Sequence, residues 1–143
     1  FRQNLSDLYE IEIDNYSATD DFGKIINPLL VAGQVHGGIV QGLGQAMGEH
    51  AIFEEESGQL INGSYMDYHM PRADEFPHLD LDFNEEAECT TNMLGAKGCG
   101  EAGTVASTTA YVNAVYDALS EYDFKELDMP ITPMKVWKII NNN

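Results

Sequence analysis

Six glycines (Gly33, Gly37, Gly38, Gly42, Gly44 and Gly48) fall inside one stretch that otherwise reads as a helix, and no other feature limits the fold as tightly. Across residues 29–53 the apolar side chains Val31, Val35, Ile39, Leu43 and Met47 recur every four positions, which marks one buried helical stripe. Asn27 can cap that helix and Pro28 suits its first position, so its start is legible. Each glycine costs a helix about 1 kcal/mol relative to alanine. A helix carrying this many must gain from close approach, either of another backbone or of a ligand. Packing against a neighbouring helix or sheet accounts for most of them.

A second glycine-rich stretch, Gly95-Ala96-Lys97-Gly98-Cys99-Gly100-Glu101-Ala102-Gly103, leads into residues 104–119. Val105, Val112, Val115 and Leu119 stand there at helical spacing, so an amphipathic helix is expected. A glycine loop that opens a helix exposes backbone N–H groups, and the helix dipole favours negative charge at that end. One carboxylate, Glu101, stands in the middle of the loop. So bare a backbone admits a bulky ligand and points a single acid at it. A plain capped helix start is the competing explanation. Gly98-x-Gly100-x-x-Gly103 also spells the dinucleotide fingerprint, with Asp123 near the spacing of a ribose-binding acid. The context opposes that reading. Thr91-Asn92-Met93-Leu94 is too short and polar for the strand the fingerprint requires, and residues 120–127 are too polar for a second core strand.

The rest of the chain supplies strands and one short helix. Residues 8–18 should form a strand through the alternation of Ile11 and Ile13, and residues 59–64 a hairpin strand. Pro71 breaks the extended run that follows. Leu79, Leu81 and Phe83 alternate with Asp80, Asp82 and Asn84 in a half-exposed strand. The acids do not make a calcium loop, because Glu85 stands where the turn glycine belongs and Thr91 where the bidentate carboxylate belongs. Thr132 and Pro133 open a last helix whose apolar face is Val136, Trp137 and Ile140. Strands and helices do not alternate as repeated βαβ units, so the class is α+β. At 143 residues and 43% hydrophobic, the chain has material for one core.

Charge narrows the partners. With 24 acidic against 7 basic residues, a net charge of -17 repels nucleic-acid phosphates and anionic membrane surfaces. No apolar run approaches the roughly 18 residues of a membrane span. Cys89 and Cys99 fit neither a disulfide framework nor a zinc motif, and His36, His50, His69 and His78 lack ligand spacing. No metal ligand is assigned, and a reducing cytoplasm is the expected compartment. Phe1 in place of an initiator methionine suggests a fragment.

Several stretches together resemble a known family: Gly33-Gln34-Val35-His36-Gly37-Gly38, Gln41-Gly42-Leu43-Gly44-Gln45-Ala46, Gly63-Ser64-x-x-Asp67-Tyr68-x-x-Pro71-Arg72-Ala73 and the loop ending in Gly100-Glu101-Ala102-Gly103. Val112-Asn113-Ala114-Val115-x-Asp117-Ala118-Leu119 and Met129-Pro130-Ile131-Thr132-Pro133-x-x-Val136-Trp137 complete the series. In order and spacing they resemble the C-terminal part of the molybdenum-binding large subunit of the xanthine dehydrogenase family, nearest to the aerobic carbon-monoxide dehydrogenase type. The resemblance runs from about Leu8 to about Ile140.

The resemblance implies a mixed sheet, a long glycine-rich helix and a second helix after the glycine loop, as in the C-terminal cofactor-binding domain of molybdenum hydroxylases. It implies oxidative hydroxylation of an electron-poor carbon with oxygen from water. The cofactor is molybdopterin with molybdenum, in some members as its cytosine dinucleotide, and electrons pass on to FAD and to a two-iron, two-sulfur cluster on partner subunits or domains. Glu101 corresponds to the general base. Gln41, Lys97, Gly98, Cys99 and Gly100 flank the cofactor by the same resemblance, followed by Gln34 and Gln45. Read from the residues alone, the glutamines are equally packing amides, Cys99 is a small apolar filler and His36 supports the first helix. The partners implied are the rest of the molybdopterin subunit, the FAD and iron–sulfur subunits and a small-molecule substrate, in an oligomeric assembly. The family's subunit is several times longer, so residues 1–143 read as a single domain, a C-terminal fragment inactive by itself. A non-catalytic docking domain is the alternative, and a dinucleotide-binding module the more distant one.

Overall fold

A computed structural model describes residues 9–141. The glycine-loaded stretch is helix α1, Pro28–Met47, and it starts where its capping residues require. The Asn27 side-chain oxygen accepts from the Leu30 N–H at 3.2 Å, and Pro28 occupies the first turn, where a missing N–H is harmless. The remaining elements, in chain order with α1, are β1 (Tyr16–Asp21) before it, then β2 (Leu79–Asn84), α2 (Ala102–Ala118) and α3 (Pro133–Asn141). A single 3-10 turn, Ala73–Glu75, precedes β2.

Helices α1 and α2 form the centre of the molecule. Val35, Ile39 and Leu43 of α1 pack with Tyr111, Val115 and Leu119 in a core that Leu127, Ile131 and Val136 close from the C-terminal side. Each such fully buried aliphatic contributes about 1.5–3 kcal/mol relative to exposure. The two helices approach closely because the seam is small and polar rather than bulky. A Cβ on Gly103 would lie 2.5 Å from the Val35 carbonyl oxygen and 2.7 Å from the Ile39 nitrogen. Thr104 Oγ1 donates to the Gly38 carbonyl at 2.9 Å and Thr108 Oγ1 to that of Gly42 at 3.1 Å. These bonds give the glycine backbone partners across the seam.

Strands β1 and β2 pair in parallel, from Tyr16↔Leu79 to Asp21↔Asn84, and bury alternate side chains. Their connection contains α1, which makes one βαβ crossover; the chain beyond it adds helices and no further paired strands among the described residues. The class is α+β as expected. Among the described residues the two paired strands run parallel, and antiparallel pairing appears in the isolated bridges Gly23↔Ala96 and Phe53↔Leu60.

Three boundaries differ from the sequence expectation, and so do two buried faces. The first strand is β1 and not residues 8–18, of which Leu8 lies outside the described residues. Ile13 is buried without joining the ladder, since only residues from Tyr16 onward run beside β2. Helix α1 stops at Met47 rather than continuing to Phe53, because the Gly48 and Glu49 N–H groups both turn back to the Gly44 carbonyl (3.0 and 2.9 Å). The expected strand at residues 59–64 shrinks to the Phe53↔Leu60 bridge. On α2 the buried face is Gly103, Ser107, Tyr111 and Val115, whereas Val105 is 71% exposed. Close approach to α1 selects the smallest residues for the seam and rotates the valine outward. In α3, Val136 is buried as expected but Trp137 is largely exposed.

Candidate functional site

The glycine loop is held at its two ends and left bare between them. Its first half is bound to the turn after β1. The Lys24 N–H donates to the Gly95 carbonyl at 2.9 Å and the Lys97 N–H to that of Phe22 at 2.8 Å. Gly23 and Gly95 both have positive φ (+58° and +66°), and any Cβ on Gly23 would collide with the Gly95 carbonyl. Only glycine fits where turn and loop touch. The Lys97 ammonium then donates to Asp21 Oδ2 at 2.6 Å. That hydrogen bond, reinforced by the Gly23 N–H on Oδ1, holds the Asp21 carboxyl below its ordinary pKa.

The second half is bound to α1. Gln34 Nε2 donates to the Gly100 carbonyl at 3.0 Å, and Gly103 is wedged against Val35 and Ile39. Between these ties lie Gly98, Cys99, Gly100 and Glu101. A Cβ at Gly98 or Gly100 would meet nothing within 4 Å, so the main chain is uncovered there. Cys99 turns inward and packs against the core. Glu101 is exposed at the N-cap of α2 with φ −113° and ψ −5°. Its carbonyl accepts from the Val105 N–H at 3.1 Å, but its side chain makes no capping bond. Among the described residues no cation pairs with its carboxylate. The acid is therefore neither turned into the core nor locked in an ion pair.

Gln41 lies seven residues beyond Gln34, on the same exposed face of α1, with the open Gly37 between them and Gln45 one turn further. The structure thus gathers Gln34, Gly98, Gly100 and Glu101 around one patch, with Gln41 further along the same helix face. Lys97 has its N–H on the Phe22 carbonyl and its ammonium on Asp21, so it clamps the first half of the loop. His36 Nδ1 sits 2.7 Å from the Ala32 carbonyl one turn back, a helix-supporting contact. Asp21 escaped the sequence reading, since nothing in a local pattern joins it to a lysine 76 residues on. Thr104 and Thr108 escaped as well, although small polar residues opposite a glycine helix are a usable sign.

At Gly98 and Gly100 the patch opens onto free space. A cavity of about 670 Å³ lies elsewhere, lined by Tyr65–Met70 with Arg72 and Glu75, and one of about 330 Å³ adjoins it at His69 and Glu75. Among the described residues no group of His, Cys, Asp and Glu could hold a metal ion directly. Nor does any helix there have the length and apolar character to cross a membrane. What the patch can receive is a flat or anionic group laid against uncovered backbone at a helix start. The dinucleotide alternative fails, because among the described residues no strand leads directly into Gly98 and none follows α2.

Comparison with known proteins decides the family. Residues 6–77 match the molybdopterin cofactor-binding domain. The chain belongs to that family. It is 37% identical over 139 residues to the gamma subunit of the 6-hydroxypseudooxynicotine dehydrogenase complex of Paenarthrobacter nicotinovorans, covering 91% of this chain and 17% of that protein. It is 36% identical over 134 residues to the carbon monoxide dehydrogenase large chain of Hydrogenophaga pseudoflava, covering 94% of this chain and 16% of the relative. The solved structure of reconstituted CO dehydrogenase from Oligotropha carboxidovorans superposes with a TM-score of 0.87 at 32% identity, over 95% of this chain and 17% of that one. The molybdopterin-binding domain described here thus spans about a sixth of the relatives it matches. The family match ends at residue 77, before the glycine loop, whereas the likeness to these relatives extends over nearly the whole chain.

Proposed function

We propose that this domain is the part of a molybdenum hydroxylase catalytic subunit that carries the general base, Glu101. One observation supports the reading above all others: an exposed, unpaired carboxylate stands beside uncovered glycine backbone at a helix start, in a molybdopterin cofactor-binding domain. The residues present fit the cofactor. Gly98 and Gly100 let a ring system or phosphate approach the main chain, the first N–H groups of α2 favour an anion, and Gln41 offers an amide further along the exposed face of α1. Cys99 contributes its backbone while its side chain fills the core edge. Lys97, through Asp21, holds the loop in place.

When bound, molybdopterin with its molybdenum supplies the activated oxygen and takes up the electron pair removed from an electron-poor carbon. The chain's own residues handle the proton. Glu101, unpaired and near open space, accepts it at a carboxylate oxygen, and the uncovered backbone leaves room for that approach. Iron–sulfur and flavin groups on partner subunits or domains would serve as the electron acceptors.

The test is Glu101→Gln in the complete subunit, assayed on an aldehyde, an N-heterocycle and carbon monoxide with a dye as electron acceptor. Turnover should fall by roughly 10²–10⁴-fold, the usual contribution of a positioned base. Molybdenum content should stay at the wild-type level. Undiminished turnover in a fully loaded variant refutes the assignment.

A further inference from the structure

We propose that Gln34 is a positioning residue for Glu101, acting through the peptide between Gly100 and Glu101. The proposal rests on the general-base reading above and concerns how the base is aimed. The Gly100 carbonyl and the Glu101 N–H belong to one planar peptide unit. Gln34 Nε2 donates to that carbonyl at 3.0 Å from a helix 66 residues away in sequence. Holding the carbonyl holds the plane, and with it the rotation that sets the Glu101 φ of −113° and the direction of its Cβ.

Little else holds this peptide. Neither Gly98 nor Gly100 touches anything at its Cβ position, and the Glu101 side chain makes no capping bond. The Lys97 clamp ends three residues before Gly100 and the Gly103 wedge begins three residues after it. Cys99 and Ala102 pack against the core on either side of it, and among the described residues the Gln34 amide is the side chain that hydrogen-bonds the peptide itself. An amide suits the task. A lysine or arginine there could also reach the carbonyl, but its charge would draw the Glu101 carboxylate into an ion pair and lower its basicity. A neutral donor fixes the backbone and leaves the acid free.

The experiment uses the complete, cofactor-loaded subunit with Gln34→Leu, which removes the donor at similar bulk, and Gln34→Glu, which removes it at the same length and adds a charge. Hydrogen exchange of the peptide covering residues 98–103 should accelerate several-fold in both variants, while molybdenum content, thermal midpoint and KM match the wild type. The kcat, measured on the substrate panel above, should fall roughly 10- to 100-fold, as misplacement of a catalytic group does. The double variant Gln34→Leu with Glu101→Gln should be no slower than Glu101→Gln alone, because a residue acting only through the base has nothing left to aim. Unchanged exchange overturns the proposal. So do losses that multiply in the double variant, or a loss of molybdenum, either of which assigns Gln34 to direct contact with substrate or cofactor. If Glu101→Gln alone proves fully active, the base reading falls, and the exchange result still decides separately whether Gln34 holds the loop.

Discussion

The glycines of α1 and α2 that touch a neighbour and those that face open space make an instructive pair of regions. Along the seam, Gly42 and Gly103 stand where a methyl group would strike backbone or a short hydroxyl side chain, and Gly38 where it would press tightly on Gly103 and Thr104. Around the loop, Gly33, Gly37, Gly98 and Gly100 have nothing within 4 Å of the position a methyl would take. The same residue type thus serves two ends. At the seam it permits helix contact and its loss should be felt in stability. On the patch it leaves backbone uncovered, and its loss should be felt only when something else comes to lie there.

The strongest challenge to that contrast is Gly103→Ala. The added methyl would sit against the Val35 carbonyl and the Ile39 nitrogen, neither of which can rotate away. Overpacking of this kind should destabilise the domain by about 3 kcal/mol, seen as an earlier denaturant midpoint. A neutral result would mean that the helices can separate cheaply, and the seam would lose its meaning. At Gly37 the sign should reverse. Alanine there gains helix propensity and clashes with nothing, so the domain should be stabilised by roughly 0.5–1 kcal/mol. In the complete subunit the same change should lower molybdenum loading, and normal loading would show that this glycine serves no ligand.

A smaller effect sharpens the boundary between clamp and bare loop. The Asp21 carboxyl is held below its ordinary pKa by the Lys97 ammonium and the Gly23 N–H. Its contribution is therefore complete above the unfolded value of about 3.9 and fades as pH falls through the lower, folded value. Asp21→Asn should give a slightly earlier unfolding midpoint than wild type at pH 7. That gap should close once the pH drops well below 4. A gap that persists in strong acid would show that charge plays no part in holding the loop.

How far these features could be read beforehand varied with their range along the chain. The start of α1 at Asn27 and Pro28, the alternation of β2 and the opening of α3 at Pro133 all depend on neighbours within a few residues, and the structure places them as read. The end of α1 departs from the expectation because apolar periodicity runs past Met47, while at Gly48 the backbone leaves the helix and the Gly48 and Glu49 N–H groups share the Gly44 carbonyl. On α2, Val112, Val115 and Leu119 join the core as the spacing predicts, while Val105 is displaced from the buried face because the seam admits Gly103 and Ser107 in its place. The candidate base was legible as a lone acid in a glycine loop. Its supports were not, since Gln34 and Asp21 reach the loop from 66 and 76 residues away.

The amino-acid sequence by itself determined the local elements, the acidic surface and the bare loop that displays Glu101, because propensity, capping and charge act over a few residues. Only the tertiary structure decided which glycines are packed and which are open, that Lys97 serves Asp21, and that Gln34 holds the peptide before the acid. Those outcomes depend on which surfaces meet across the whole chain, and steric fit and hydrogen-bond geometry at such meetings carry no periodic signature.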